Sequence, residues 1–490
     1  MTDVDPDRSE AEHEVGRVRV ATGRVALAGP GPDADRVLDV TTPPSGPYPD
    51  VHRAQQGGQT PAPGAYGAPP AGAYGTPAPG GYGAPTSYPT PQRPGMAATA
   101  RPVHGAPAYA GPPVQSVWHP RSASGGGSLG GTIALLLVGF ASLWGLWIVL
   151  SLVGIGNGIV AFVAALLPLI VVLAAVMWLD RWEPEPKLML LFALLWGAGV
   201  SVVLSFYGNT WVAETAYALT GDPVVADVVS SVVSAPIVEE TTKGLGVLVI
   251  FLMRRSYFDG VVDGIVYAAV VAAGFAFTEN ILYFGASGSA LASTFVMRGL
   301  LSPFAHVLFT ACTGIALGIA SRSRNRNAAW WMFPLGLLSA ALLHALWNAS
   351  ATLAGFGGET SFFTFYILVQ VPLFAAAVIL AFWLRRQEAA AIAQRLGEYA
   401  AAGWFAPHEV AMVASLRQRS QARAWAARKG PRAGTAMKSF IRDATSLAYL
   451  RQRAATGRSD LRAHTTTETE LLGRIRGDRQ AFLTAAGPLG

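Results

Sequence analysis

The stretch Val238-Glu239-Glu240-Thr241-Thr242-Lys243 places three ionisable residues inside an apolar segment that runs from about Val224 to Met253. In hydrocarbon each such charge costs roughly 2.5–3.5 kcal/mol at a helix centre, so residues of this kind are rarely incidental. On a helix Glu239 and Lys243 lie four apart and share a face, where they partly neutralise one another, while Glu240 points about 100° away. One carboxylate is then paired and the other is left for chemistry. A packing ion pair explains this single segment equally well, and the choice turns on the polar residues of other segments.

Of the 490 residues, 51% are hydrophobic and only 13% charged, and the apolar runs between Gly130 and Trp383 are too long for soluble core helices. The chain therefore reads as all-α, a polytopic membrane bundle of about eight transmembrane helices surrounded by lipid. Its net charge of +6 resides largely in flanking regions and short loops, which is a topology signal rather than a nucleic-acid footprint. The single cysteine, Cys312, excludes an internal disulfide and a cysteine-rich metal site. The charged start of the chain (Asp3, Asp5, Asp7, Arg8, Glu10) argues against a cleavable signal peptide.

Residues 1–128 are rich in Pro, Gly, Ala and Tyr, with a repeat at residues 64–69, 72–77 and 80–85, and are expected to be a disordered cytoplasmic tail, open to protein partners. Residues 129–386 form the membrane domain. Its apolar segments fall at about 130–153, 157–179, 187–207, 225–253, 260–285, 294–320, 328–352 and 361–384. Arg181 and Lys187, Arg254 and Arg255, Arg322, Arg324 and Arg326, and Arg385 and Arg386 follow every second segment, and the intervening loops have no Lys or Arg. The positive-inside rule then puts both termini in the cytoplasm. The loop Asp180-Arg-Trp-Glu-Pro-Glu-Pro-Lys187 reads as a membrane-surface turn, and the long outer loop at 208–226 as a candidate lid. Residues 387–455 read as a cytoplasmic helical appendage, and 456–490 as a flexible C-terminal tail.

Three further segments carry buried polar groups: Phe275 and Glu279 share a helix face, Arg298 precedes His306, and His344 shares a face with Asn348. At about 1.5 Å per residue from the cytoplasmic helix ends, Glu239, Glu240, Glu279, His306 and His344 all come out at roughly 20–28 Å, in the outer half of the bilayer. Two histidines and one carboxylate form a zinc ligand set with an open position for water, and another carboxylate beside it serves as general base. A metal-free version, with glutamate and histidine activating water and Asn348 holding the oxyanion, uses the same residues. A non-enzymatic scaffold or a proton- or ion-coupled transporter is the alternative class, but the two halves of the membrane region show no internal repeat.

These residues, Glu-Glu-x-x-Lys at 239–243, Phe-x-x-x-Glu-Asn at 275–280, His306 and His-x-x-Trp-Asn at 344–348, resemble the PrsW intramembrane proteases, relatives of the CAAX prenyl endopeptidases and CPBP proteins. The resemblance spans about residues 130–385. Lys243 and Glu279 stand where the CAAX type has arginine, one position later, and histidine, which argues against prenylated substrates. The resemblance implies hydrolysis of a membrane-anchored protein in the bacterial cytoplasmic membrane, as the first cut of a regulatory, anti-sigma-factor-like substrate. It assigns Glu239 and Glu240 to water activation, with Glu240 favoured as base, and Lys243 and Asn348 to their support. Glu279, His306 and His344 are assigned to a divalent metal, Zn2+, or to the transition state.

Overall fold

The computed structural model describes Val18–Ala21, Arg24–Leu27 and residues 129–253, 258, 260–323, 325, 327–357, 363–455 and 461–486. Apart from one short antiparallel hairpin, β1 (Val18–Ala21) with β2 (Arg24–Leu27), every regular element among them is helical. The remainder of the expected N-terminal tail lies outside the described residues.

Eight long helices follow: α1 (Leu129–Val153), α2 (Ile155–Leu179), α3 (Lys187–Thr220), α4 (residues 223–253), α5 (Val261–Ala286), α6 (Gly288–Arg322), α7 (Ala328–Gly357) and α8 (Phe363–Ala401). Seven of them are long and apolar enough to cross a membrane. The eighth, α4, carries Glu239, Glu240 and Lys243 at its middle and sits against α3, α5 and α7.

The bundle is organised around α5, which is 72% buried over its most apolar window, against 11–39% for the other spans. Its run Tyr267-Ala-Ala-Val-Val-Ala-Ala-Gly274 explains why, because small side chains let neighbouring backbones come close on every side. A Cβ on Gly264 would lie 2.0 Å from the Gly314 carbonyl of α6, and one on Gly197 would lie 1.8 Å from the Val271 carbonyl. Both crossings therefore require glycine.

Four spans contain a π-helical turn, at Trp196–Ser201, Val229–Ser234, Val296–Leu301 and Tyr366–Gln370. A π turn loosens the i→i−4 ladder and frees carbonyls for other donors. Ala198 O accepts from Thr278 Oγ1 (3.0 Å), and Ser231 O from Asn348 Nδ2 (2.7 Å).

The expected loop at 208–226 is mostly helix. α3 continues through the good helix formers Ala213–Leu219 and stops at Gly221, whose φ of 65° ends the turn; Asp222 then caps α4, accepting from Val224 N (2.8 Å), with Pro223 at the first helical position. No lid-like loop exists there.

After α8 come α9 (Pro407–Val413), α10 (Leu416–Arg428), α11 (Pro431–Ala455) and α12 (Leu461–Ala486). α8 itself runs unbroken across position 386, with Leu384 in the membrane core and Ile392 and Leu396 in a second core. Within the flexible tail expected at 456–490, residues 461–486 form α12, whose Leu471, Ile475 and Phe482 lie on one face and are buried in that second core, and the remainder lies outside the described residues. The turn at 180–187 is likewise more than a surface loop. Trp182 is buried in the core of this C-terminal module, and the buried Arg419 donates to Trp182 O (3.3 Å), Val413 O (2.6 Å) and Thr445 Oγ1 (2.8 Å) while its guanidinium faces the Trp182 ring at 4.8 Å. Burial without a bonded carboxylate pulls Arg419 down to about 10.

Candidate active site

Glu239, Glu240 and Lys243 lie one turn beyond the π turn of α4, on the face turned into the bundle. Lys243 Nζ donates to Glu240 Oε1 at 2.8 Å and to Glu239 Oε2 at 3.3 Å, so the paired carboxylate is chiefly Glu240. Glu240 also accepts from Thr310 Oγ1 (2.8 Å) and from His344 Nδ1 (3.1 Å), which uses both of its oxygens. Glu239 is held more loosely. Besides Lys243 it meets Asn209 Nδ2 at 3.5 Å and faces His344 Nε2 at 4.0 Å.

His306 joins the cluster from α6. Lys243 donates to its Nδ1 (3.1 Å), so Nε2 carries the proton and donates to Glu279 Oε2 (2.8 Å). The same Glu279 oxygen accepts from Arg298 Nη2 (2.5 Å), while Arg298 Nε donates to Asn280 Oδ1 (3.0 Å) and its guanidinium stacks on Tyr283 at 4.0 Å. Phe275 covers the Lys243 ammonium at 3.9 Å, and Phe309 stacks on His344 at 4.9 Å. The four sequence motifs thus converge in one connected network. Asn348 stands apart from the carboxylates and ties α7 to the π turn of α4 through Ser231 O.

Exposure rises steadily across the network. Glu240 and Lys243 side chains are fully enclosed, His344 and Glu239 are 3% and 7% exposed, His306 and Glu279 reach 13% and 16%, and Arg298 reaches 26%. The site therefore opens past Arg298 and Glu279 and closes at Lys243.

Asn209, Thr310, Tyr283 and the bonds of Arg298 to Glu279 and Asn280 escaped the sequence reading. Thr310 is four residues beyond His306 and so shares its helix face, a spacing that points to it in retrospect. Asn209 escaped because 208–226 reads as a loop in the sequence, although the short Gly221–Asp222 connection makes α3 and α4 neighbours.

A model of the family described as PrsW family intramembrane metalloprotease matches residues 185–377. Protease PrsW of Bacillus subtilis (strain 168) is 32% identical over 169 residues, 34% of this chain and 72% of that protein. The chain belongs to the PrsW family. Protease PrsW of Clostridioides difficile (strain 630) is 27% identical over 188 residues, 38% of this chain and 77% of the relative, and that of Geobacillus kaustophilus (strain HTA426) is 33% identical over 159 residues, 32% of this chain and 65% of the relative. No solved structure matches the chain. Membership makes it an integral membrane protein and an intramembrane protease, which sets aside the scaffold and transporter readings. Every residue of the network lies inside the PrsW match, whereas α9–α12 lie beyond it.

A PrsW metalloprotease calls for a metal, and the residues fit one. Glu239, His306 and His344 each offer a ligand atom, all within 4.8 Å of one another. This is a two-histidine, one-carboxylate donor set, in which Glu240 orients His344 through Nδ1 and Glu279 orients His306 through Nε2, while a metal at His306 Nδ1 would displace the Lys243 ammonium now 3.1 Å away. Three carboxylates also face only two permanent cations, Lys243 and Arg298, so a further positive charge relieves an excess of buried negative charge. Glu279, expected beside the two histidines, is held by Arg298 and His306 and is not one of the three residues whose ligand atoms cluster.

Proposed function

We propose that this PrsW-family protein hydrolyses a peptide bond of a membrane-anchored protein near the outer leaflet, with Glu239 as the carboxylate that meets the attacking water. The supporting observation is the unequal occupation of the three carboxylates. Glu240 has both oxygens taken by Lys243, Thr310 and His344, and Glu279 is anchored through one oxygen by Arg298 and His306 at 2.5–2.8 Å, whereas Glu239 has contacts of only 3.3–4.0 Å and faces two imidazoles.

In this reading Glu239 orients the water and takes its proton. Glu240 fixes the His344 ring, and Lys243, enclosed among Glu239, Glu240 and His306, holds both carboxylates in place. A Zn2+ ion held by His306 and His344 beside Glu239 would polarise the scissile carbonyl and lower the pKa of the water that Glu239 deprotonates. Asn348 acts on the site through the backbone of α4. Both termini lie in the cytoplasm, a reading supported by Arg181, Arg322, Arg385 and Arg386 at the end of the bundle that carries the polar C-terminal module. The substrate then reaches the site from the outer side, and a first cut in an anti-sigma-factor-like protein is the role this placement suits.

The test is a purified single-pass protein carrying Gly or Pro near its outer boundary, incubated with the purified chain and analysed for new termini by mass spectrometry. Cuts in the outer half of the substrate span, lost in Glu239→Gln, are the expected result. Cleavage confined to the cytoplasmic half would overturn the topology, and an active Glu239→Gln protein the chemistry.

A further inference from the structure

The most exposed ionisable group of the network is the one whose hydrogen-bonding capacity is least spent. Arg298 has five N–H donors; Nε is given to Asn280 Oδ1 and one Nη2 hydrogen to Glu279 Oε2. The two Nη1 hydrogens and the second Nη2 hydrogen make no hydrogen bond among the described residues, and they sit on a side chain 26% exposed at the open side of the site. The guanidinium is nonetheless fixed. It is gripped along one edge by two acceptors and along its plane by the Tyr283 ring at 4.0 Å, and it stands on the π turn Val296–Leu301 just before the break at residues 302–304. Pre-organised donors left without protein acceptors at the open side of the site call for acceptors from outside the protein.

The substrate has such acceptors to give. A spanning segment satisfies its own carbonyls only while helical, and unwinding it for hydrolysis strips the carbonyls on either side of the cut of their partners. In an apolar site each orphaned carbonyl is worth several kcal/mol. We propose that Arg298 is a substrate-binding residue that takes main-chain carbonyl oxygens of the unwound segment next to the scissile bond. The planar fork can serve two successive carbonyls of an extended strand, which a point-like ammonium cannot. Asn280 and Tyr283 are then positioning residues for the guanidinium, and Glu279 couples it to His306 through one shared oxygen. Substrates are thereby selected for ease of unwinding rather than for side-chain identity.

The proposal rests on the hydrolytic reading above, so its test is a binding measurement that needs no turnover. The probe is a synthetic single-span peptide with a Gly-Pro step near one end, in detergent micelles, bound to Glu239→Gln protein and to the Glu239→Gln, Arg298→Lys double variant. Lysine keeps the charge facing Glu279 and loses the fork. The expected result is a Kd at least about tenfold weaker in the double variant, with the thermal midpoint unmoved. In a series of peptides with one main-chain carbonyl at a time reduced to methylene, the penalty should vanish at one or two adjacent positions, which a purely structural ion pair with Glu279 would not produce. Equal Kd values, binding to neither protein, or a penalty independent of the reduced position would each overturn the proposal. Failure of the hydrolytic reading shows separately, as absence of peptide cleavage by the unsubstituted protein.

Discussion

The two adjacent glutamates should come apart under substitution, and in the direction opposite to that suggested by helical spacing. In Glu240→Gln the enclosed Lys243 ammonium loses its 2.8 Å partner and meets an amide that can offer hydrogens of its own. Breaking a buried ion pair from one side costs about 3–5 kcal/mol, and Glu239 at 3.3 Å from the same ammonium holds the figure near the lower bound. A loss of about 3 kcal/mol corresponds to a fall of about 6–12 °C in thermal midpoint for a domain of this size. Glu239→Gln keeps an acceptor for Asn209 and leaves the Lys243–Glu240 pair whole, so its loss stays below about 1.5 kcal/mol while proteolysis falls at least about 10²-fold. Tryptophan fluorescence during heating in detergent, beside cleavage of a single-pass substrate, reads both quantities on the same sample. A stable, inactive Glu240→Gln protein next to an active Glu239→Gln protein would refute the division of roles and restore Glu240 as the base.

Chelation should abolish cleavage and Zn2+ should restore it; full activity after exhaustive chelation would exclude a metal at Glu239, His306 and His344. Asp180, just outside α2, is pushed up to about 6 by burial from an ordinary 3.8, so the folded protein keeps a proton that the unfolded chain has released. Stability should therefore fall as pH rises from about 4 to 6 and level off above; Asp180→Asn should flatten that slope in thermal unfolding, and an unchanged slope would place its origin elsewhere. Arg419→Ala leaves Trp182 O and Val413 O without their donor, at about 1–3 kcal/mol for each that stays buried, and should open the C-terminal module to limited proteolysis.

The membrane spans were legible because hydrocarbon enforces a length and a polarity, and the network was legible because ionisable residues have few other reasons to stand at Glu239, Glu240, Lys243, Glu279, His306 and His344. Their pairing was not. Spacing says that Lys243 can reach a carboxylate four residues earlier, but not that the rotamer favours the one three residues earlier, a matter of fractions of an ångström set by Thr310 and Phe275 from other helices. The stretch 208–226 was misread because its Asn209, Glu214 and Thr215 lower the hydropathy without weakening the helix. Trp182 could not be seen as a core residue, since its partners Arg419 and Phe405 lie more than two hundred positions later.

The π turn at Val229–Ser234 has a bearing on how this site can change over time. A π turn takes up about one residue more than an α turn, so tightening it to α geometry at fixed length would rotate everything after it by about 100° around the helix axis. Tightening would carry Glu239 to the bearing Glu240 now has, and Thr242 to that of Lys243, so the carboxylate would survive and its ammonium would not. The width of the turn is thus a part of the active site, as is its buried Ser234 hydroxyl, which donates to Asn209 Oδ1 (2.9 Å).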